Sequence, residues 1–365
     1  MIWLTWRQFR AQATAAAAAL AAFAVLLVST QPRMTSLFSA SGIAGCHSGS
    51  CAGLASAFLD QLASATPFSG HAFDPLPDGF DLYPFVYTLG TLLILAAPAI
   101  VGTFWGAPLI ARELETGTGR LAWNQSITRT RWLAVKLALV AAAAMAVTEA
   151  FSLLQTWWAT PIGRAMSLGG SASVFSGNRF SPLAFATHGI APVGYAAFGF
   201  TLGVTAGLII RRAVPAMAVT LAIFAAAQIM MPLWVRPHLI PAQHATVAIG
   251  RDVTLNNYTV TNGGAPRFAL TTGTVPGQPG AWVIASSAVD RAGQPVGTIP
   301  AACVKQFANS DGGLDCLGGQ GIRMTVSYQP ASRYWALQSA EAGIFLALAA
   351  ALAGFCFWRF GRRLG

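Results

Sequence analysis

Charge is scarce in this sequence: Asp, Glu, Lys and Arg make up 9% of its 365 residues, and only 12 residues are acidic. Soluble domains carry about 25% charged residues. A chain this poor in charge has too little polar surface to be a soluble globule. No GxxxxGK(S/T) phosphate loop occurs, which excludes a P-loop ATPase within the chain. The GTG at 117–119 lacks the Lys-Ser/Thr that would make it a phosphate cradle. His47, His71, His188, His238 and His244 show no metal-ligand spacing. There is no internal repeat. The net charge of +10 is not gathered on a polar domain, so nucleic acid is not an expected partner.

What is abundant is apolar sequence, 55% of the chain. A helix needs about 20 mostly apolar residues to cross the hydrocarbon core of a bilayer. Six runs qualify, at residues 11–30, 84–105, 132–158, 188–210, 213–235 and 335–358. The basic start, Arg7 and Arg10, followed by an apolar run also describes a signal peptide, but the same flank fits a retained, inward-facing anchor. Residues 236–333 differ: short β-prone runs at 258–261, 268–270, 281–284 and 324–328 alternate with Gly, Pro and Asn turns. The expected fold class is an all-α polytopic membrane protein of six transmembrane helices, with both termini cytoplasmic. A small, mostly β extracytoplasmic domain separates helices five and six. Residues 1–235 then carry the first five spans, a cytoplasmic loop at 106–131 and extracytoplasmic loops at 31–83 and 159–187. Residues 236–334 form the β-rich domain, and 335–365 the last span with its basic tail.

Charge sets the expected orientation. With both ends inside, the inner segments hold Arg7, Arg10, Arg112, Arg120, Arg129, Arg131, Lys136, Arg211, Arg212, Arg359, Arg362 and Arg363, against Glu113 and Glu115. That is the asymmetry expected of cytoplasmic loops. Ten of the eleven tryptophans fall at or beside span ends, where amphipathic rings are enriched, and Trp282 is the exception. Cys46, Cys51, Cys303 and Cys316 all fall on the outer side. Disulfides persist there, and each pair lies within its own loop. Cys356, within a span, reads as a buried apolar residue.

Three features are candidates for function. The stretch 106–136 has Ile110, Leu114, Gly117 and Leu121 on one helical face and Arg112, Glu115 and Gly119 opposite. It is either a docking helix or an ordinary loop helix with solvated charges. Glu149 and Glu341 lie within spans, where carboxylates are costly and often functional. They line a cavity at similar height, bind a cation or exchange protons, or else serve structure, Glu341 by reaching interfacial water or pairing with Arg333. Gly194, Gly199, Gly203 and Gly207 are small residues at helical spacing, for packing within the subunit or for a dimer face.

The order GAPLIARELETGTGRLAWNQSITRTRWLAVKL at 106–137 resembles the first cytoplasmic loop of permeases of type-2 ABC transporters. The matching elements are Arg112-Glu113, Glu115, Gly117-Thr118, Leu121, Ser126, Thr128-Arg129 and Lys136. The start Trp6-Arg7-Gln8 is similar to the actinobacterial branch, and six spans with both termini inside fit the family along the whole chain. The domain at 236–334 is larger than the family's usual short loop. The resemblance implies a coupling helix, Arg112, Glu113, Leu114, Glu115, Gly117 and Thr118, seated in a cleft of a separate P-loop ABC ATPase. It implies two ATPase copies per complex, a second permease copy or close homologue, and ATP and Mg on the partner chain only. The expected function is the permease subunit of an exporter in a bacterial plasma membrane, moving an amphipathic or hydrophobic substrate such as a lipid, drug or antibiotic. The chain itself is expected to be no enzyme. Two other readings stay open: a proton-coupled secondary transporter using Glu149, and a membrane sensor or scaffold with an extracytoplasmic ligand domain.

Overall fold

The computed structural model describes residues 2–46, 51–65, 81–115, 129–168, 170, 175, 178–249, 257–259, 267–269, 275–278, 280–304, 306 and 312–363. Among these residues, six helical segments are long and apolar enough to cross a membrane: Phe9–Ala40, Leu82–Arg112, Arg131–Trp158, Ala191–Ile210, Ala213–His238 and Ala331–Arg359. The chain enters through α1 (Ile2–Ala40), which runs ten residues past the expected span end and carries Pro32 inside it. The extension has a cause. Met34 and Leu37 are buried against Phe58 and Leu59 of α2 (Cys51–Ala63), so packing continues the helix where polarity suggests a loop.

The second span also runs on. α3 (Leu82–Ile100) passes through a π-helical turn, Val101–Gly106, into α4 (Ala107–Glu115) without a break. Gly106 therefore does not open a loop, contrary to its reading as the start of the polar stretch. The third span is α5 (Arg129–Trp158), followed by α6 (Thr160–Ser167), α7 (Pro182–Thr187) and the fourth span, α8 (Ala191–Ile210). Arg211 ends α8 in the left-handed region, φ 59°, with its N–H on the Gly207 carbonyl at 3.0 Å. This two-residue turn starts α9 (Ala213–Met230), which continues as a π turn, Met231–Val235, and a 3₁₀ turn, Arg236–His238. Pro232 lacks the N–H that a regular α turn would use there.

α8 is the axis of the bundle: 83% of it is buried, against 17–39% of the other spans. Its glycines allow this. A Cβ on Gly199 would lie 2.6 Å from the Pro98 carbonyl, and one on Gly106 would lie 2.5 Å from the Phe200 carbonyl. Gly194 similarly faces Ala342 of α11 (Tyr334–Arg363), the last span. The glycine stripe is thus spent on backbone-to-backbone packing inside one chain.

Between α9 and α11 lies the small sheet unit. β1 (Gln243–Ala248), β4 (Trp282–Val289) and β5 (Arg323–Gln329) form an antiparallel sheet ordered β1-β5-β4, with an irregularity between Val283 and Ala285. β2 (Asn257–Thr259) pairs with β3 (Arg267–Ala269) as a separate two-stranded ribbon. α10 (Gly313–Gly319) covers one face, with Met324, Val326, Leu317 and Cys303 in the core. Cys303–Cys316 and Cys46–Cys51 are disulfides, with Cα–Cα distances of 5.7 and 5.8 Å. Cys356 is free and buried.

Candidate functional site

Antiparallel spans give the bundle two ends, and each carries one candidate site. At the end away from the sheet, α4 carries Arg112 with its side chain exposed. Glu115 is exposed, and its Oε1 accepts a 3.2 Å hydrogen bond from the Ala213 N–H, one of the unsatisfied donors that open α9. The carboxylate therefore ties the end of the second span to the start of the fifth. Lys136 is buried with its Nζ 4.4 Å from the centre of the Trp132 ring. Glu113 and Leu114 lie in α4, their side chains outside those described, and Gly117 and Thr118 fall outside the described residues.

At the sheet-bearing end the buried carboxylate Glu341 has a partner that the sequence did not suggest. Arg236, at the foot of the sheet unit, donates from Nε to Oε2 at 2.7 Å and from its Nη2 to Oε1 at 3.0 Å. Tyr195 of α8 donates its hydroxyl to the same Oε1. Both members of the ion pair are buried, at 1% and 0% exposure, and the guanidinium lies 3.9 Å from the centre of the Phe185 ring. The expected alternative, a pair with Arg333, is not made. Arg333 donates instead to the Pro241 carbonyl at 2.6 Å and to Gln329 Oε1 at 3.0 Å. Spans four, five and six are thereby locked together where the sheet unit begins.

One turn back along α11, Gln338 makes a second buried junction. Its Oε1 accepts from the Ala191 N–H at 2.9 Å, and its Nε2 donates to the carbonyls of Phe185 and His188 at 2.9 and 3.0 Å. His188 donates from Nδ1 to the Ala184 carbonyl at 2.8 Å. Burial holds its pKa below the ordinary 6.5, and the Ala184 hydrogen bond opposes this in part. The imidazole is therefore neutral near pH 7.

Glu149 is placed differently. It shares no hydrogen bond with Glu341, and its Oε2 is buried without a hydrogen-bond partner among the described residues. Thr148, Gln155 and Thr156 of the same helix each also carry a buried, unpartnered oxygen. Glu149 lies on one stripe of α5 with Leu153 and Thr156, continued by Thr160 at the start of α6. Its upper three members line a cavity of about 380 Å³.

That cavity is walled by α5 and α6, by the 178–190 segment, and by the start of α11, with Gly280 of the sheet unit at its rim. Arg179 is held there by a hydrogen bond to the Ala331 carbonyl and by the Tyr334 ring, 4.7 Å away. Asn178 fastens the same segment to the sheet unit through the carbonyls of Gly280 and Ala281, at 3.0 and 2.6 Å. No local pattern in the sequence pointed to this cavity, because its walls come from five separated segments. Three expected interfacial tryptophans also prove to be packing residues: Trp105, Trp132 and Trp158 are buried, and Trp158 Nε1 donates to Thr30 Oγ1 at 2.9 Å. Trp157, Trp234, Trp335 and Trp358 are exposed, as interfacial rings should be.

A family model described as ABC-2 membrane transporter related matches residues 17–236. The match ends at Arg236, so the sheet unit and α11 lie beyond it. No curated protein and no solved structure matches the chain.

Proposed function

The chain belongs to the ABC-2 membrane transporter related family and is a multi-pass membrane protein; from this we propose that it is the permease subunit of an ATP-driven exporter of the type-2, actinobacterial kind. A separate P-loop ABC ATPase supplies the hydrolysis, in two copies per complex, and a second permease copy or close homologue completes the pathway. The complex sits in a bacterial plasma membrane and moves an amphipathic or hydrophobic substrate outward. The observation that carries the reading is the family match over five of the six spans.

The chain's own part in such a machine is mechanical. α4 continues the second span through Gly106, so a force on α4 acts on that span as on a rod. The Glu115–Ala213 hydrogen bond carries the same force to α9. We assign docking on the ATPase to Arg112, Glu113, Leu114, Gly117 and Thr118, with Glu115 at the edge of the contact. The test is affinity purification of the full chain from its host. Co-purification of a P-loop ATPase, lost in Glu113→Arg but kept in Asp290→Arg, is the expected result. Purification with no ATPase under conditions that keep the chain folded would overturn the assignment and leave a sensor or scaffold.

A proton-coupled transporter is the second reading, favoured by one observation: the buried, unpartnered Oε2 of Glu149. Collapsing the proton gradient while ATP is held constant separates the two. Transport that stops under the protonophore, and stops equally in Glu149→Gln, belongs to the second.

A further inference from the structure

The cavity at the sheet-bearing end has a defined sign and mostly apolar walls. Among its described lining residues Arg179 is the only permanent charge, and no Asp or Glu lines it. His188 adds no charge, because burial keeps it neutral. The guanidinium is fixed in place before any ligand arrives, by the Ala331 carbonyl and by the Phe180 and Tyr334 rings. One of its five N–H groups is used in that bond, and the others remain to receive an acceptor. Arg179 stands beside the sheet unit, and α5 and α6 contribute the apolar Leu153 and Met166 together with Thr156, Thr160 and Ser167.

The depth of the site follows from its surroundings. Trp335 and Leu153, each on a span, flank it with exposures of 61% and 59%. Large apolar side chains left this open, on a helix that crosses the bilayer, face lipid, and the exposed Trp marks the level of the headgroups. A pocket of about 380 Å³ with apolar walls and a few fixed polar groups is of ligand-binding size.

We propose that this cavity binds an anionic amphiphile, with its phosphate or carboxylate on Arg179 and its chain against Leu153 and Met166. The proposal rests on the membrane placement of the chain and not on ATP-driven transport. The ligand is either an anionic lipid of the surrounding leaflet or a free amphiphile that the chain handles, and both present the same chemistry.

The test is direct binding to the full chain in phosphatidylcholine nanodiscs, without ATP or ATPase, so that failure of the transport reading leaves it unaffected. The probe is dodecyl phosphate, with dodecylphosphocholine as the zwitterion of equal chain length. Saturable binding of dodecyl phosphate is expected, about fivefold or more weaker in Arg179→Gln and restored in part by Arg179→Lys. The zwitterion should bind no better than the Arg179→Gln protein binds the anion. Leu153→Trp, which fills the cavity while leaving Arg179 in place, should also lose the probe. Equal affinity for the two probes, or an Arg179→Gln protein with wild-type thermal stability and undiminished binding, would overturn the proposal. A further arm identifies the natural source. Phosphatidylglycerol in the disc competes with the probe if the ligand is a leaflet lipid, and leaves it undisturbed if the ligand is a free amphiphile.

Discussion

At the level of single residues, the Arg236–Glu341 pair is the strongest determinant the structure offers. Two charges taken out of water recover their desolvation only with close geometry and added hydrogen bonds. Both are present here, as the two Arg236 contacts and the Tyr195 hydroxyl. Removing one partner leaves the other buried and uncompensated. Glu341→Ala is expected to lower stability by about 3–5 kcal/mol, read as loss of the monodisperse peak after heating in detergent. Tyr195→Phe, which removes one hydrogen bond, should cost about 1 kcal/mol. The double variant Arg236→Met with Glu341→Leu should recover much of the loss, since apolar replacement of a buried pair is often neutral. A Glu341→Ala protein as stable as wild type would remove the pair from this role. His188 gives a pH dependence of definite sign. Its native pKa lies below the 6.5 of the unfolded chain, so the unfolded state takes up protons first as pH falls. Stability is fully present above about pH 6.5 and declines below it. Thermal midpoints at pH 7.5 and 5.5 should differ more for wild type than for His188→Gln.

At the level of elements, the contact between the second and fourth spans is the tightest in the bundle. A Cβ on Gly203 would collide with the Gly102 carbonyl and come within 2.8 Å of the Ala107 nitrogen, both backbone atoms that cannot step aside. Gly203→Val is therefore expected to cost more than the roughly 1–3 kcal/mol of ordinary overpacking and to abolish folded yield in detergent extracts. Gly163→Ala, in α6 with open space around it, should express as wild type. The same contact explains what the sequence concealed. The polar stretch begins at Gly106, so a loop was expected to open there. The actual task of Gly106 is to let the Phe200 carbonyl approach, which only the partner helix reveals. The six spans were legible because an apolar run of twenty residues has few other uses. Of the five strands among the described residues, four were anticipated near their observed places. β1 was not, because QHATVA has no apolar run to mark it, and its place in the sheet comes from pairing with β5. Arg236 and Glu341 are 105 residues apart and in different elements, so no spacing rule joins them.

At the level of the whole molecule, the two ends differ in kind, and the difference predicts how the chain lies in its membrane. One end carries both disulfides, the sheet unit and the amphiphile cavity. The other carries α4, the Arg211-Arg212 turn and the C-terminus of α11, whose flanking charges are almost all positive. A bilayer with an energised, disulfide-poor cytoplasm on one side sorts such ends in one direction. The sheet-bearing end should face outward. Single-cysteine labelling tests this in intact cells. Cys356 is buried and the other four cysteines are paired, so the native background is low. Ala292→Cys, in the exposed turn after β4, should react with a membrane-impermeant maleimide from outside. Arg212→Cys, in the exposed turn before α9, should react only after the membrane is opened. The reverse pattern would put the sheet unit in the cytoplasm. It would also place α4 outside, away from any ATPase, and with it the permease reading would lose its mechanical link. The labelling result therefore bears on topology and coupling together.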